Sequence, residues 1–202
     1  MYKRYGKSIF LITFSFALLF SLAAGAQAQT KLIKRNGWYQ NAPIEVFELK
    51  VKDKSVSFNE AFEADGEWLK DVSLKIRNNS KKTVVCVYMG VVFPDTQPAP
   101  MMHSRFFGYP TNTKIKPKGE PLELKPGEVL SISLADEFEE LKSLVEHKLP
   151  VGLVNTLDLE INRAYFDDGM MWDLGELYRP DADNPGKWIL VERGVWIPPR
   201  KE

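Results

Sequence analysis

Residues 68–93 constrain the fold more than any other stretch of the chain. Within residues 68–77, apolar side chains alternate with polar ones, which is the period of a strand with one buried and one exposed face. Residues 83–93 are almost all β-branched, aromatic or apolar, which indicates a strand covered on both faces. Residues 78–82 between them are polar and predict a turn. We therefore predict that these two strands form a hairpin at the centre of the fold.

The rest of the chain predicts an all-β protein. Further short strands and turn signals indicate a single β-sandwich of about seven or eight strands over residues 43–202, with a C-terminal extension; a barrel is the alternative. Helical spacing from Phe138 to Leu149 predicts one short helix in a connection, which Pro150 ends. Asp168-Gly169 predicts a tight hairpin. The polar residues 29–42 are expected to be a lead-in to the sandwich.

The N-terminus predicts export. Three basic residues precede an apolar stretch at residues 9–22, and the small-residue ending Ala26-Gln27-Ala28 follows. We expect a signal peptide at residues 1–28, cleaved after Ala28, and a periplasmic or extracellular protein without a membrane span. A retained anchor is the alternative, although the apolar stretch is shorter than the about 20 residues that cross a bilayer.

Composition excludes several functional classes. Residues 1–28 hold three of the 27 basic residues and none of the 27 acidic ones, so the remaining chain has a formal net charge of −3. Such a chain is a poor match for nucleic acid. One Cys excludes an intramolecular disulfide, and two His with one Cys nearly exclude the common zinc sites. No cofactor and no metal site are predicted.

Isolated chemical signals in the sequence favour structural roles. Residues 181–186 resemble the start of a calcium loop, but Pro185 offers no side-chain ligand, so we expect a surface turn. Cys86 lies within an apolar strand and is expected to be buried. His103-Ser104 lacks a G-x-S-x-G elbow. No catalytic residue is predicted, although a pair of acidic residues that meets only in three dimensions stays an alternative.

One connection carries the candidate binding residues. Residues 94–121 are rich in proline and show no long periodic segment. Their middle is rich in methionine and aromatic residues, which are enriched at binding surfaces. An edge strand whose rings complete the core is the alternative. The candidates, together with one distant tryptophan, are Met101, Met102, Phe106, Phe107, Tyr109 and Trp172.

A resemblance supports export and the sandwich. Residues 68–82 and 124–128 resemble the strand, N-x-S-x-K turn and L-x-P-G-E pattern of bacterial immunoglobulin-like envelope domains, and residues 166–172 are similar to a segment of uncharacterised secreted bacterial proteins. The resemblance implies an immunoglobulin-like β-sandwich but no activity. We expect a non-enzymatic binding or structural domain with an envelope or extracellular protein partner. The alternative is a hydrolase of envelope or extracellular polymer that uses Asp/Glu acid–base chemistry. Converging carboxylates in a cleft would favour the enzyme, and an exposed apolar patch would favour binding.

Overall fold

The computed structural model describes residues 28–35, 38–108 and 121–197. Residues 1–27 of the expected signal peptide, the candidate Tyr109 and residues 198–202 lie outside this part. The helical elements are α1 (Phe138–Glu146) and the 3-10 turns Trp68–Asp71, Ala135–Glu137 and Val151–Leu153. The strands are β1 (Gln29–Arg35), β2 (Trp38–Tyr39), β3 (Ile44–Val51), β4 (Lys54–Ser55), β5 (Ala61–Ala64), β6 (Val72–Asn78), β7 (Val84–Phe93), β8 (Met101–Gly108), β9 (Val129–Ser133), β10 (Thr156–Phe166), β11 (Met171–Asp173), β12 (Glu176–Pro180), β13 (Trp188–Arg193) and β14 (Trp196–Ile197).

Eight strands form the larger sheet around the long strand β10. One edge of β10 pairs with β7, which in turn pairs with β8. The other edge is shared: residues 156–159 pair in parallel with β1, which continues to β5, whereas residues 163–165 pair with β11, which continues to β12 and β13. The sheet therefore divides into two wings beyond β10.

The second main sheet has four antiparallel strands in the order β4-β3-β6-β9. Apolar side chains from both sheets form one core, in which Ile76 of β6 and Val87 of β7 are fully buried. A two-stranded ribbon of β2 and β14 accompanies the two sheets. The prediction of a β-rich protein with a short helix is confirmed. The expected seven or eight strands were too few, because the described residues alone contain fourteen.

The predicted central hairpin is wrong. Strands β6 and β7 lie in different sheets, since β6 pairs with β3 and β9 while β7 pairs with β10 and β8. The buried Asn78 stabilises the connection from β6 to β7. Its side-chain amide donates to the carbonyls of Lys82 (2.8 Å) and Leu124 (2.7 Å), and its Oδ1 accepts from the backbone N–H of Ser80 (2.9 Å). The polar turn is thus an arch between the two sheets.

The expected lead-in also contributes to the larger sheet. Its first residues form β1, in which Ile33 and Lys31 are fully buried. Nζ of Lys31 donates to the carbonyl of Val154 (2.7 Å) and to Oδ1 of Asn155 (3.0 Å), so the ammonium is buried with its hydrogen bonds satisfied. The polar composition of this segment concealed a strand, whose partners are β5, about thirty residues further along the chain, and β10, more than a hundred residues further along.

The predicted helix and the Asp-Gly turn are confirmed. Helix α1 buries Phe138, Leu141 and Val145 and connects β9 of the smaller sheet to β10 of the larger one. The turn between β10 and β11 places Gly169 at φ 82°, a conformation that glycine adopts without strain. Among the described residues, no helix combines the length and the apolar character needed to cross a bilayer.

Candidate functional site

Strand β8 lies at one edge of the larger sheet that the described residues form. It pairs with β7 over eight consecutive residue pairs, from Cys86 opposite Gly108 to Phe93 opposite Met101, without a bulge. Within the part of the chain that the structure describes, β7 is its one strand partner. The alternative prediction, an edge strand whose rings complete the core, is met in part: the segment forms a strand with one partner among the described residues, and Phe107 packs against the core, whereas Phe106 does not.

The alternation of β8 divides the candidate residues between two faces. Met101 and Phe107 point inward and pack, partly buried, against the core between the sheets. Met102 and Phe106 point outward with 58% and 49% of their surface exposed. The Phe106 ring lies 4.5 Å from the Tyr88 ring of β7, centroid to centroid. The outer face of the edge is therefore apolar and accessible.

Arg105 and His103 of β8 are turned inward and contact acidic side chains. Nε of Arg105 lies 2.8 Å from Oε1 of Glu137, and its Nη1 donates to the carbonyl of Ser133 (3.3 Å). Nε2 of His103 lies 3.3 Å from Oε2 of Glu137, and its Nδ1 lies 3.7 Å from Glu140. These contacts fasten β8 to the residues that begin α1. Sequence reasoning missed this cluster, because spacing along the chain does not show that β8 and α1 meet.

Trp172 lies away from the exposed face of β8. Through successive strand pairs, Phe107, Val87, Ala164 and Trp172 occupy one row across the sheet, all facing the core. Trp172 is only 3% exposed, and its ring meets that of Tyr39 edge-on at 5.9 Å. The structure thus places Trp172 in the same sheet as Met102 and Phe106 but on the opposite face.

The outer face of the larger sheet carries a second apolar cluster further from the edge. The row next to Phe106 and Tyr88 runs through Gly108, Cys86 and Tyr165, and it holds a small cluster that is buried although it faces away from the main core. Trp188 packs near it, with its ring 6.3 Å from that of Tyr165. Its members are Cys86, Tyr165 and Met171, with Val85, Tyr178 and Trp188 against them. Apolar side chains are exposed at both ends of this face, at Met102 and Phe106 of β8 and at Leu190 of β13, which opposes Tyr178.

A sizeable groove next to the candidate residue Trp172 lies at one end of the sandwich. It measures about 400 Å³ and lies between residues 40–43 and the arch at residues 79–82. Phe166, Trp172 and Leu177 contribute to its lining. Some of its polar groups already have partners: Nδ2 of Asn41 donates to the carbonyl of Gly175 (3.0 Å). Lys82, also in the lining, donates to the nearby carboxylate of Asp168.

The acidic pair that most resembles an enzyme site lies on β10. Burial, and then the negative charge of Asp158, raise the pKa of Glu160. The cavity beside Glu160, which Arg35 and Trp172 also line, has a volume of only about 20 Å³. Such a cavity holds roughly one water molecule, whereas ligand pockets measure about 300–1,000 Å³. The raised pKa is therefore not accompanied by room for a polymer substrate.

Cys86 and Asp181 have structural surroundings. Cys86 is fully buried, and this burial raises the pKa of its thiol to about 12, which keeps it from acting as a thiolate nucleophile. The Asp181 carboxylate accepts hydrogen bonds from the backbone N–H of Asp183 (2.9 Å) and from the side-chain amide of Asn184 (2.8 Å). This is the hydrogen bonding of a surface turn. No group of three or more His, Cys, Asp or Glu in the described ranges is arranged to hold a metal ion.

No protein-family model, curated protein or solved structure matches this chain. A functional proposal therefore depends on the surfaces described above. Of these, the exposed edge and outer face of β8 has apolar side chains that are accessible to a partner.

Proposed function

We propose that this chain is an exported, non-enzymatic binding module that pairs strand β8 with an extended segment of an envelope or extracellular protein. The observation that carries the proposal is the combination found in β8. The strand has eight residues in unbroken register, exposes Met102 and Phe106, and turns the charge of Arg105 inward.

Backbone chemistry explains why such an edge binds strands. The outer edge of a sheet presents N–H and C=O groups that can pair with another strand, and proteins normally obstruct such edges with Lys, Pro, bulges or inward-pointing charges. β8 contains no Lys, no Pro and no bulge. Inward-pointing charges obstruct pairing when it would bury them alone, but Arg105 already has Glu137 as its partner. Added strands gain main-chain hydrogen bonds, and alternate side chains provide specificity.

Export and the immunoglobulin-like class belong to the same proposal. Export is supported by the predicted signal peptide at residues 1–28, and it places the binding edge among periplasmic or extracellular proteins. The immunoglobulin-like class is supported by two sheets around a common core and by the sequence resemblance. The parallel pairing of β1 with β10 is an addition to a purely antiparallel sandwich.

Site-specific photo-cross-linking tests the proposal in cells that export the full chain. A photoreactive amino acid replaces Met102, and a matched control variant carries it at Val191, which is similarly exposed at 51% but lies on β13. We expect irradiation to attach a polypeptide at position 102 and little or none at position 191. Absence of any polypeptide adduct at position 102 would contradict the proposal.

A further inference from the structure

We infer that the strand which β8 accepts is β8 of a second copy of this chain, so that two larger sheets join into one across a two-fold axis. The inference rests on the proposed function and names its partner. Most soluble homo-oligomers have such symmetry, in which one surface patch meets itself. Across such an axis a strand pairs with its own copy in the antiparallel direction, so the side chains of β8 must be compatible with one another in that pairing.

Geometry limits the registers in which β8 can meet its copy. Directly opposed residues of an antiparallel pair point to the same face, so each outward residue must oppose an outward residue. Two symmetric registers pair the strand most fully. One is centred on Ser104 and pairs residues 101–107 of each copy, and the other is centred on Arg105 and pairs residues 102–108.

Charge and size distinguish these two registers. The register centred on Arg105 places the two Arg105 side chains directly opposite each other, and like charges in this position are destabilising. It also places Ser104 opposite Phe106, which leaves the ring beside a small polar side chain. The register centred on Ser104 avoids both problems, so it is the one that we infer.

The outer face is self-complementary in the register centred on Ser104. Met102 of each copy opposes Phe106 of the other, which forms two methionine–aromatic contacts, a favourable pair. Between them Ser104 opposes its own copy, where two hydroxyls can share a hydrogen bond. The two side chains that are most exposed on β8, at 58% and 49%, are thereby the ones that cover each other.

The inner face accepts the same register. Met101 opposes Phe107, and His103 opposes Arg105. Glu137 of each copy lies beside its own His103 and Arg105, so the carboxylates separate the basic groups that the pairing brings together. Pairing therefore leaves no basic side chain of β8 without an acidic neighbour.

Thiol cross-linking of the purified full-length exported chain tests both the partner and the register. In the inferred register, the Cβ atoms of two Ser104→Cys residues lie about 4.5–5.5 Å apart, within reach of a short bifunctional thiol reagent. Two Met102→Cys residues would lie about 14 Å apart along the strand, beyond that reach. Cys86 is fully buried and does not interfere. Val191→Cys is the control for random collision.

We expect Ser104→Cys to form a covalent dimer, and Met102→Cys mixed with Phe106→Cys to form one as well. Met102→Cys alone should cross-link no more than Val191→Cys. Because the interface is small, we expect a weak dimer. In sedimentation of the unmodified chain, the average mass should therefore rise from the monomer value toward twice that value as the protein concentration is raised about a hundredfold. Thermal melting of each variant confirms that it is folded.

The outcomes separate this inference from the proposed function. Cross-linking of Ser104→Cys and of the mixture no greater than that of Val191→Cys would overturn the second copy as partner. If the photoreactive residue at position 102 then attaches a different polypeptide, the binding module remains supported with another partner. A chain that stays monomeric and gives no adduct in the thiol or the photo-cross-linking experiment would overturn both the inferred dimer and the proposed binding module.

Discussion

Nε of Arg105 lies 2.8 Å from Oε1 of Glu137, and this contact joins edge strand β8 to the residue that precedes helix α1. Both side chains are mostly buried, at 23% and 17% exposure. The pair has two consequences. It holds the inward side of β8 against the start of α1, and it neutralises a charge that would otherwise hinder the addition of a strand.

We expect Glu137→Ala to lower the free energy of unfolding by about 1–3 kcal/mol, because it leaves buried basic groups without their partner. A double-mutant cycle with Arg105→Ala, measured by chemical denaturation, should show coupling between the two residues. The exposed pair of Lys125 and Glu123 is the control, where coupling should be close to zero. Equal coupling in the two cycles would show that the inner pair does not stabilise the fold.

Local periodicity sufficed for some elements because their cause is local. Helix α1 follows from apolar residues at helical spacing, and the turn at Gly169 follows from a dipeptide that accepts positive φ. The choice between a hairpin and an arch after β6 is different. It depends on which strands compete for each edge, and β3, β9, β8 and β10 are distant in sequence. Alternation alone carries no information about that competition.

The candidate site was predictable to a similar extent. Composition identified the segment around Met102 and Phe106, and a period of two groups them on one face. Which face points outward depends on the register of β8 with β7 and on Glu137, which lies on another element. Trp172 was grouped with them for its aromatic character, but a large apolar ring is also the side chain that the core buries most favourably.

Cys86 should react slowly with a thiol reagent in the native state. Its pKa of about 12 leaves almost no thiolate near neutral pH, and the side chain is fully buried. We expect slow colour development with a disulfide reagent at about pH 8 and fast development in denaturant. Val191→Cys is the control, since it adds a thiol at a position that is 51% exposed and should react at once. Fast labelling of the native unmodified chain would contradict the burial.

Export should remove residues 1–28 and leave Gln29 as the first residue. Gln29 is also the first residue of β1, where it pairs with Ala64 of β5, so cleavage there removes the apolar segment without cutting the strand. Intact-mass measurement of exported chain should give a product that begins at Gln29. Recovery of the uncleaved chain from Met1 in the membrane fraction would instead support the retained anchor.

Glu160 should make stability depend on pH in a defined direction. Burial and the charge of Asp158 raise its pKa, so the folded state holds this proton more tightly than the unfolded state does. The stabilisation is complete below the unfolded pKa and is lost as the pH rises through the higher folded value. Glu160→Gln stays neutral, so we expect it to melt at a higher temperature than the unmodified chain at neutral pH.

The advantage of Glu160→Gln should shrink as the pH falls toward about 4.3, the ordinary value of a glutamate side chain. Glu123→Gln, at a side chain that is 71% exposed, is the control and should alter the melting temperature little across the same range. An advantage of Glu160→Gln that stayed constant or grew on acidification would show that ionisation of Glu160 does not penalise the fold.

Phe106 and Phe107 are adjacent in sequence, but truncation should lower the stability of the fold much more at Phe107 than at Phe106. Phe107 packs against the core and beneath the Arg105 guanidinium, 4.6 Å from its ring centroid, so Phe107→Ala should cost about 2–3 kcal/mol of stability, less than the about 3–5 of a fully buried ring. Phe106 is half exposed, so Phe106→Ala should cost less than about 1 kcal/mol. Its loss should appear instead as a weaker polypeptide adduct at position 102. Equal destabilisation by the two variants would place Phe106 in the core and remove the exposed apolar face on which strand addition at β8 depends.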